Sequence, residues 1–284
     1  MLDRPPLYRH LREPVLALPI DSDRSPAPDW LIPDWPAPAG VRAVCSGRNG
    51  GVSSAPWDSL NLGDHVGDDA EAVAANRAIF CAATGAAPVF MRQPHGSDCV
   101  DLDLLQPGAE MPQADACTAT VPGRACTVMV ADCLPVLLCD AGGRIVGAAH
   151  AGWRGLAGGV LEACVAALRQ RLGEPQAPLL AWLGPCIGPQ AFEVGDEVRL
   201  AFVASDPLAS GCFRAGAAPG KWWADLAALA RRRLMAAGVA QAYGNDGGQG
   251  WCTVSDASRF FSHRRDAARL GSTGRMAASI WQLG

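Results

Sequence analysis

The stretch from Cys126 to Gly155, CTVMVADCLPVLLCDAGGRIVGAAHAGWRG, constrains the fold more than any other part of this chain. Two apolar runs flank Asp140-Ala141-Gly142-Gly143, a turn signal, and the combination predicts a β-hairpin. With an even-numbered loop centred on that turn, Cys139 faces Arg144 and Cys133 faces His150. Directly opposed side chains on one sheet face have Cβ atoms roughly 4.5–5.5 Å apart, so a thiol and an imidazole meet above the sheet. Both faces of the hairpin are apolar, which requires cover on both sides.

The flanking sequence supplies that cover. Val41 to Ser46 reads as a strand, and Gly47 to Asp69 as a glycine-punctuated loop able to approach a ligand closely. Asp69 caps a helix that runs to about Thr84. Strands are expected from Pro88 to Met91 and over 98–105, and a short, small-residued segment, 113–120, leads into the hairpin. Past Arg154 the apolar spacing changes to that of a helix, Leu156 to Leu172, stopped by Gly173 and Pro175. A strand over 178–183, helices over about 195–204 and 224–237, a strand piece near 241–243 and two closing strands at 259–265 and 273–277 follow. Such a mixture fits one α/β or α+β domain. Residues 1–25 lack periodicity and read as an irregular extension to a domain over 26–284. The proline-rich segment Ser25 to Gly40 reads as an extended arm pinned by Trp30 and Trp35.

Charge and cysteine usage narrow the function classes. With 24 basic and 28 acidic residues the net charge is −4, and no basic stripe argues for a nucleic-acid or membrane partner. The amino terminus has charges and prolines where a signal peptide needs an apolar run, and no segment is long and apolar enough to span a bilayer. Eleven cysteines without CxxC pairs or a disulfide-like framework point to a reducing cytoplasm, most of them serving as small core residues.

Cys133 with His150 admits three readings: a nucleophile and its base, part of a metal site, or a buried pair. His95, between Pro94 and Gly96 at the end of a strand, is a sensible third ligand. His95, Cys133 and His150 would make an N₂S set with one position open, the pattern of catalytic rather than structural zinc. Zinc there supplies a Lewis acid or acidifies water. Copper is chemically admissible at the same ligands. Gly152 opens a helix directly after His150, where free amides favour an anion, and Arg154 and Arg48 are candidates to contact phosphate. The bland alternatives are a helix cap for Arg154 and a loop salt bridge for Arg48. Asp132 either orients a metal ligand or serves a turn.

Taken together, SGRNGGVSSAPWDSLNLGDHVGDD (46–69), QPHGSDCV (93–100), ADACTAT (114–120), ADCLPVLLCD (131–140), HAGWRGLAGGV (150–160), GPCIGPQAFEVGDEV (184–198), FFSHRRD (260–266) and TGRMA (273–277) resemble the YfiH family, also called the laccase-domain or multicopper polyphenol oxidase family. Gly47 stands where the family commonly has Thr, and Phe192 where Tyr is usual. The resemblance implies a single-domain four-layer α/β/β/α fold of mixed β-sheets. It also implies a zinc site at His95, Cys133 and His150. Its implied activities are phosphorolysis of purine nucleosides (adenosine, inosine, guanosine, methylthioadenosine) and adenosine deamination. Other descriptions of the family are copper-dependent oxidation of phenols and hydrolytic editing of peptidoglycan precursors. Purine nucleoside and phosphate are thus the expected partners, with Asn61 of the NLGDH segment beside Arg48, Gly152 and Arg154 as candidate contacts. The expected state is a cytoplasmic monomer or small homo-oligomer.

Overall fold

The computed structural model describes residues 29–106 and 108–284. The expected extension, 1–25, and the first residues of the proline-rich arm lie outside the described residues. In chain order the strands are β1 (Val41–Cys45), β2 (Ala87–Val89), β3 (Cys99–Asp101), β4 (Ala116–Ala119), β5 (Arg124–Val130), β6 (Leu134–Asp140), β7 (Val146–Ala151), β8 (Leu179–Leu183), β9 (Glu193–Gly195), β10 (Phe213–Ala215), β11 (Lys221–Ala224), β12 (Gln241–Gly244) and β13 (Met276–Gln282). The main helices are α1 (Ala70–Thr84), α2 (Trp153–Gly158), α3 (Val160–Leu172), α4 (Asp196–Val203) and α5 (Leu226–Ala236).

A six-stranded sheet has the order β12-β8-β6-β7-β4-β3, and a four-stranded sheet the order β1-β13-β5-β2. Each combines parallel and antiparallel pairs. Period-two alternation decides what each face of β6 touches. Leu134, Val136 and Leu138 pack with Val160, Cys164 and Leu168 of α3 and with Leu229 and Leu234 of α5. Leu137 and Cys139 point the other way, into a core shared with Val128 and Ile280 of the four-stranded sheet. Phe80 of α1 covers the far side of that sheet against Val44, Met129 and Trp281. Both faces of β6 and β7 are therefore buried, as their unbroken apolar sequence requires. Burying one such leucine contributes about 1.5–3 kcal/mol.

Several expectations need correction. The apolar run from 126 to 139 is not one hairpin arm. The chain turns at Ala131 to Cys133, so that β5 and β6 belong to different sheets. The β6–β7 register is offset by two residues: Pro135, not Cys133, is opposite His150, and Cys139 is opposite Val146. The cause is Asp140, which is the last strand residue rather than the first of the turn. Its carboxylate accepts from the amides of Gly142, Arg144 and Ile145, and Gly143 takes the positive φ of 72°. A shift of two preserves which face each side chain occupies. The helix expected over 156–172 is divided at Gly159, whose φ of 100° ends α2 and starts α3. Segment 259–265 is not a strand: Ser262 caps a single wide turn, His263–Ala267. A third, antiparallel sheet of β10, β11 and β9 has strands of three or four residues, too short for periodicity to reveal.

Other local readings hold. Asp69 accepts from the amides of Glu71 and Ala72 at the start of α1. In the arm, Leu31 pairs with Cys45, Trp30 lies 5.2 Å from the Phe80 ring, and Trp35 packs on the inter-sheet core.

Candidate functional site

Antiparallel pairing of β6 with β7 and of β7 with β4 brings the start of β6, the end of β7 and the start of β4 to one end of the six-stranded sheet. Cys133 lies just before β6, and His150 near the end of β7. The loop after β2 adds His95, which adopts a φ of 65°, a region unfavourable for a non-glycine residue. Their donor atoms lie within 4.8 Å of one another, with Cys133 Sγ 3.8 Å from His95 Nε2. The two imidazoles meet edge to face at 4.8 Å between centroids.

Asp115 organises both histidines, and sequence reasoning assigned it no role. Fully buried at the head of β4, it receives the Nδ1 proton of His150 at 2.8 Å. It also accepts from the backbone amides of His95 at 3.0 Å and Gly96 at 2.6 Å, which holds the strained His95 turn. The available signal was a lone carboxylate in the small-residue strand QADACTAT. With Nδ1 engaged, Nε2 of His150 is the atom left for a ligand, the usual carboxylate–histidine arrangement at a metal.

Burial opposes ionisation of Cys133, yet the neighbouring His150 and His95 outweigh it and lower the thiol from its ordinary 9.0 to about 6. Burial likewise opposes charge on His150, but Cys133 and Asp115 raise it to about 9. The metal-free pair is thus a thiolate beside an imidazolium. The same set suits a metal. Tetrahedral zinc with sulfur and nitrogen ligands needs donors about 3.3–3.6 Å apart, against 3.8 Å between Cys133 Sγ and His95 Nε2 and no more than 4.8 Å for any pair. Space is reserved for this set: a Cβ at Gly152 would fall 2.9 Å from His95 Cδ2 and 3.0 Å from Cys133 Sγ.

The cluster lines a cavity of about 800 Å³. Met91, Met111, Met129 and Phe192 line it with apolar side chains, and Arg92, Arg264 and Arg275 bring cationic groups to it, Arg264 over the Phe192 ring. That size falls within the range of small-ligand sites.

Residues 42–283 match the family described as multi-copper polyphenol oxidoreductase laccase. The chain belongs to this family. It is similar to the purine nucleoside phosphorylase PA4543 of Pseudomonas aeruginosa, with 51% identity over 89% of this chain and 98% of that protein. Similarity to the Escherichia coli purine nucleoside phosphorylase YfiH is 48% identity over 89% of this chain and 98% of the relative. The crystal structure of Neisseria meningitidis protein NMB0706 has the same fold, with a TM-score of 0.81 and 47% identity over 90% of this chain and all of that one.

Within this laccase-family fold, the remaining expected residues separate from the cluster. Arg48 does not line the cavity. Its Nε and Nη2 donate to Asp58, its Nη1 to the carbonyl of Ala257, and its guanidinium stacks on Phe261. Its donors are consumed in holding loops together. Asn61 is fully buried, fixing Gly63 and Asp68 and accepting from the amide of Arg275. Arg154 is exposed and lies over the Trp153 ring, outside the cavity. Gly152 precedes a helix of only six residues, and its visible contribution is room for the ligands. Asp132 orients no ligand: its carboxylate accepts from Thr253 Oγ1 at 2.5 Å and from the amide of Arg264 at 2.6 Å, holding a turn at φ 84°. Among the described residues no helix is long and apolar enough to cross a membrane.

Proposed function

We propose that this chain is a zinc-dependent purine nucleoside phosphorylase acting on adenosine, inosine, guanosine and methylthioadenosine, with an accompanying adenosine deaminase activity. One observation carries the reading: an N₂S donor set lining a cavity that also presents apolar side chains and three arginines. The names and identities of the relatives support it.

In phosphorolysis an oxygen of HPO₄²⁻ bonds to C1′ of the ribose as the C1′–N9 bond breaks. The bonding pair leaves with N9, and the proton of the phosphate ends on the base, giving ribose 1-phosphate and a free purine. The apolar lining residues Met91, Met111, Met129 and Phe192 offer surface for the flat base and keep water from it. Asp115 holds the Nδ1 proton of His150 and fixes the ring towards Cys133. Zinc held by His95, Cys133 and His150 would supply a Lewis acid in the cavity. In deamination water adds at C6 of adenosine and ammonia leaves, which yields inosine, itself a phosphorolysis substrate.

The test is to incubate metal-analysed protein with inosine and phosphate and assay hypoxanthine and ribose 1-phosphate. No product from the wild type, or equal product from Cys133→Ala, overturns the reading. A multicopper oxidase is disfavoured because the chain has five histidines and one His/Cys cluster among its described residues, too few donors for several copper centres. The thiolate–imidazolium pairing of Cys133 and His150 favours a second reading, a hydrolase editing peptidoglycan precursors. Normal wall-peptide composition in a deletion strain would exclude that one.

A further inference from the structure

We propose that Arg275 is the phosphate-binding residue of this cavity, holding inorganic phosphate beside the His95–Cys133–His150 cluster. The proposal rests on the phosphorolysis reading and names the residue that positions its second substrate.

Arg275 lines the cavity at the entrance to β13. A guanidinium carries five N–H donors. Nη1 spends its two on the carbonyls of Thr273 and Gly274, both at 3.1 Å. Among the described residues Nε and Nη2 have no acceptor within the chain, and no carboxylate pairs with this arginine. The negative groups acting on it are Cys133 and Asp132. The Asp132 carboxylate is already engaged by Thr253 and by the amide of Arg264. A partly buried cation without a hydrogen-bonded counter-ion is disfavoured, and burial pulls Arg275 below the usual guanidinium range despite those two neighbours. An oxyanion accepting from Nε and Nη2 removes that cost, because a planar guanidinium offers paired, charge-assisted donors to phosphate.

The surrounding loop is built to place this side chain. Asn61 Oδ1 accepts from the Arg275 amide at 2.9 Å, and the Arg275 carbonyl accepts from the amide of Leu62 at 3.0 Å. Gly63 leaves room for the arginine stem: a Cβ there would lie 2.7 Å from Arg275 Cγ. The NLGDH segment is thus a clamp on Arg275, with Asn61 and Gly63 as positioning residues. Arg92 and Arg264 line the same cavity and add to its attraction for an anion. Arg48 offers no comparable site, since its three donor nitrogens are all committed.

The test compares wild type with Arg275→Met and Arg275→Lys, each checked for fold by circular dichroism and for metal content. Phosphate affinity is read by calorimetry with inorganic phosphate alone, and KM for phosphate and for inosine by initial rates. Expected for Arg275→Met is a rise of at least about tenfold in the phosphate Kd and KM, with the inosine KM unmoved, and a smaller rise for Arg275→Lys, which keeps charge but not the fork. A merely structural arginine would move both KM values together, and that result overturns the proposal. So does an unchanged phosphate Kd in Arg275→Met. Wild-type phosphorolysis with an unmoved phosphate KM in the variant would sink the Arg275 assignment and leave the enzyme reading intact. Arg275-dependent phosphate binding without any ribose 1-phosphate would leave the anion site standing and remove the phosphorolysis reading.

Discussion

The two ends of the β6–β7 hairpin use the same residue types to opposite effect. At the closed end, the buried Asp140 carboxylate is saturated by three backbone amides and Arg144 Nε, and Arg144 turns outward to Glu174. Cys139, next to it, lies in the inter-sheet core, where burial first and Asp140 second push its thiol up to about 12. At the open end, six residues along the chain, Cys133 has two imidazoles for neighbours and falls to about 6. At the closed end carboxylate and arginine satisfy one another and the backbone, and the thiol is buried as a core residue. At the open end Cys133 Sγ, the free nitrogens of His95 and His150, and two nitrogens of Arg275 are left facing a cavity. Stability and chemistry are separated along one pair of strands by which polar groups find partners inside the chain.

The largest expected contrast is thiol reactivity. In metal-stripped protein near pH 7, iodoacetamide should modify Cys133 more than about 10³-fold faster than Cys139, because the thiolate is the nucleophile and their thiolate fractions differ by several powers of ten. The sign follows from the lowered value: the Cys133 rate climbs as pH rises through about 6 and then levels off. His150→Ala removes the main lowering influence and should move the inflection upward, towards the ordinary 9.0. Peptide mapping of the alkylated protein reads both. Equal labelling at the two positions would erase the distinction between the hairpin ends.

Next in size is the pair of thiol deletions. Cys133→Ala should lower phosphorolysis by more than about 100-fold, beyond the range typical of losing an outer-sphere partner, with thermal stability nearly intact. Cys139→Ser should do the reverse, since it buries a hydroxyl in an apolar core at a cost of about 1–3 kcal/mol while leaving the rate per folded molecule unchanged. Rates and melting temperatures of the two variants decide it.

Asp115→Asn comes third. Replacing the carboxylate that fixes His150 and the His95 turn should weaken metal binding by about 10–100-fold, read by competition with a chelator. This residue also marks where the sequence stopped being legible. The hairpin, the capped helix α1, the covered central strands and the three clustered donors all follow from local pattern: turn chemistry, periodicity and an unusual grouping of Cys and His. Asp115 and Arg275 do not, because each depends on a partner far along the chain, and the hairpin register does not, because Asp140 looks the same as the last strand residue or the first turn residue. Nothing near Asp115 announces His150, and nothing near Arg275 announces the Asn61 Oδ1 that accepts from its backbone amide. The register error was harmless for a local reason, since an even offset left Cys133 and His150 on the same face. Arg48 and Arg154 misled because a charged residue in a glycine-rich loop looks alike whether it awaits a ligand or, as Arg48 does, ties down carbonyls.

The smallest effect should come from Glu174→Gln at the closed end, which takes the partner carboxylate from the Arg144 guanidinium and leaves Arg144 Nε on the buried Asp140. The guanidinium is half-exposed and its partner Glu174 equally so, and ion pairs in such positions contribute little once solvent screening is counted. Asp140 keeps its three backbone amides in the variant, so the turn and the register survive. The melting temperature should fall slightly at low salt, and the difference should shrink towards ~1 M salt as the remaining charges are screened. Phosphorolysis and metal content should not change. A large loss of either would mean that the closed end of the hairpin governs the geometry of Cys133 and His150, and the separation of roles along these two strands would fail.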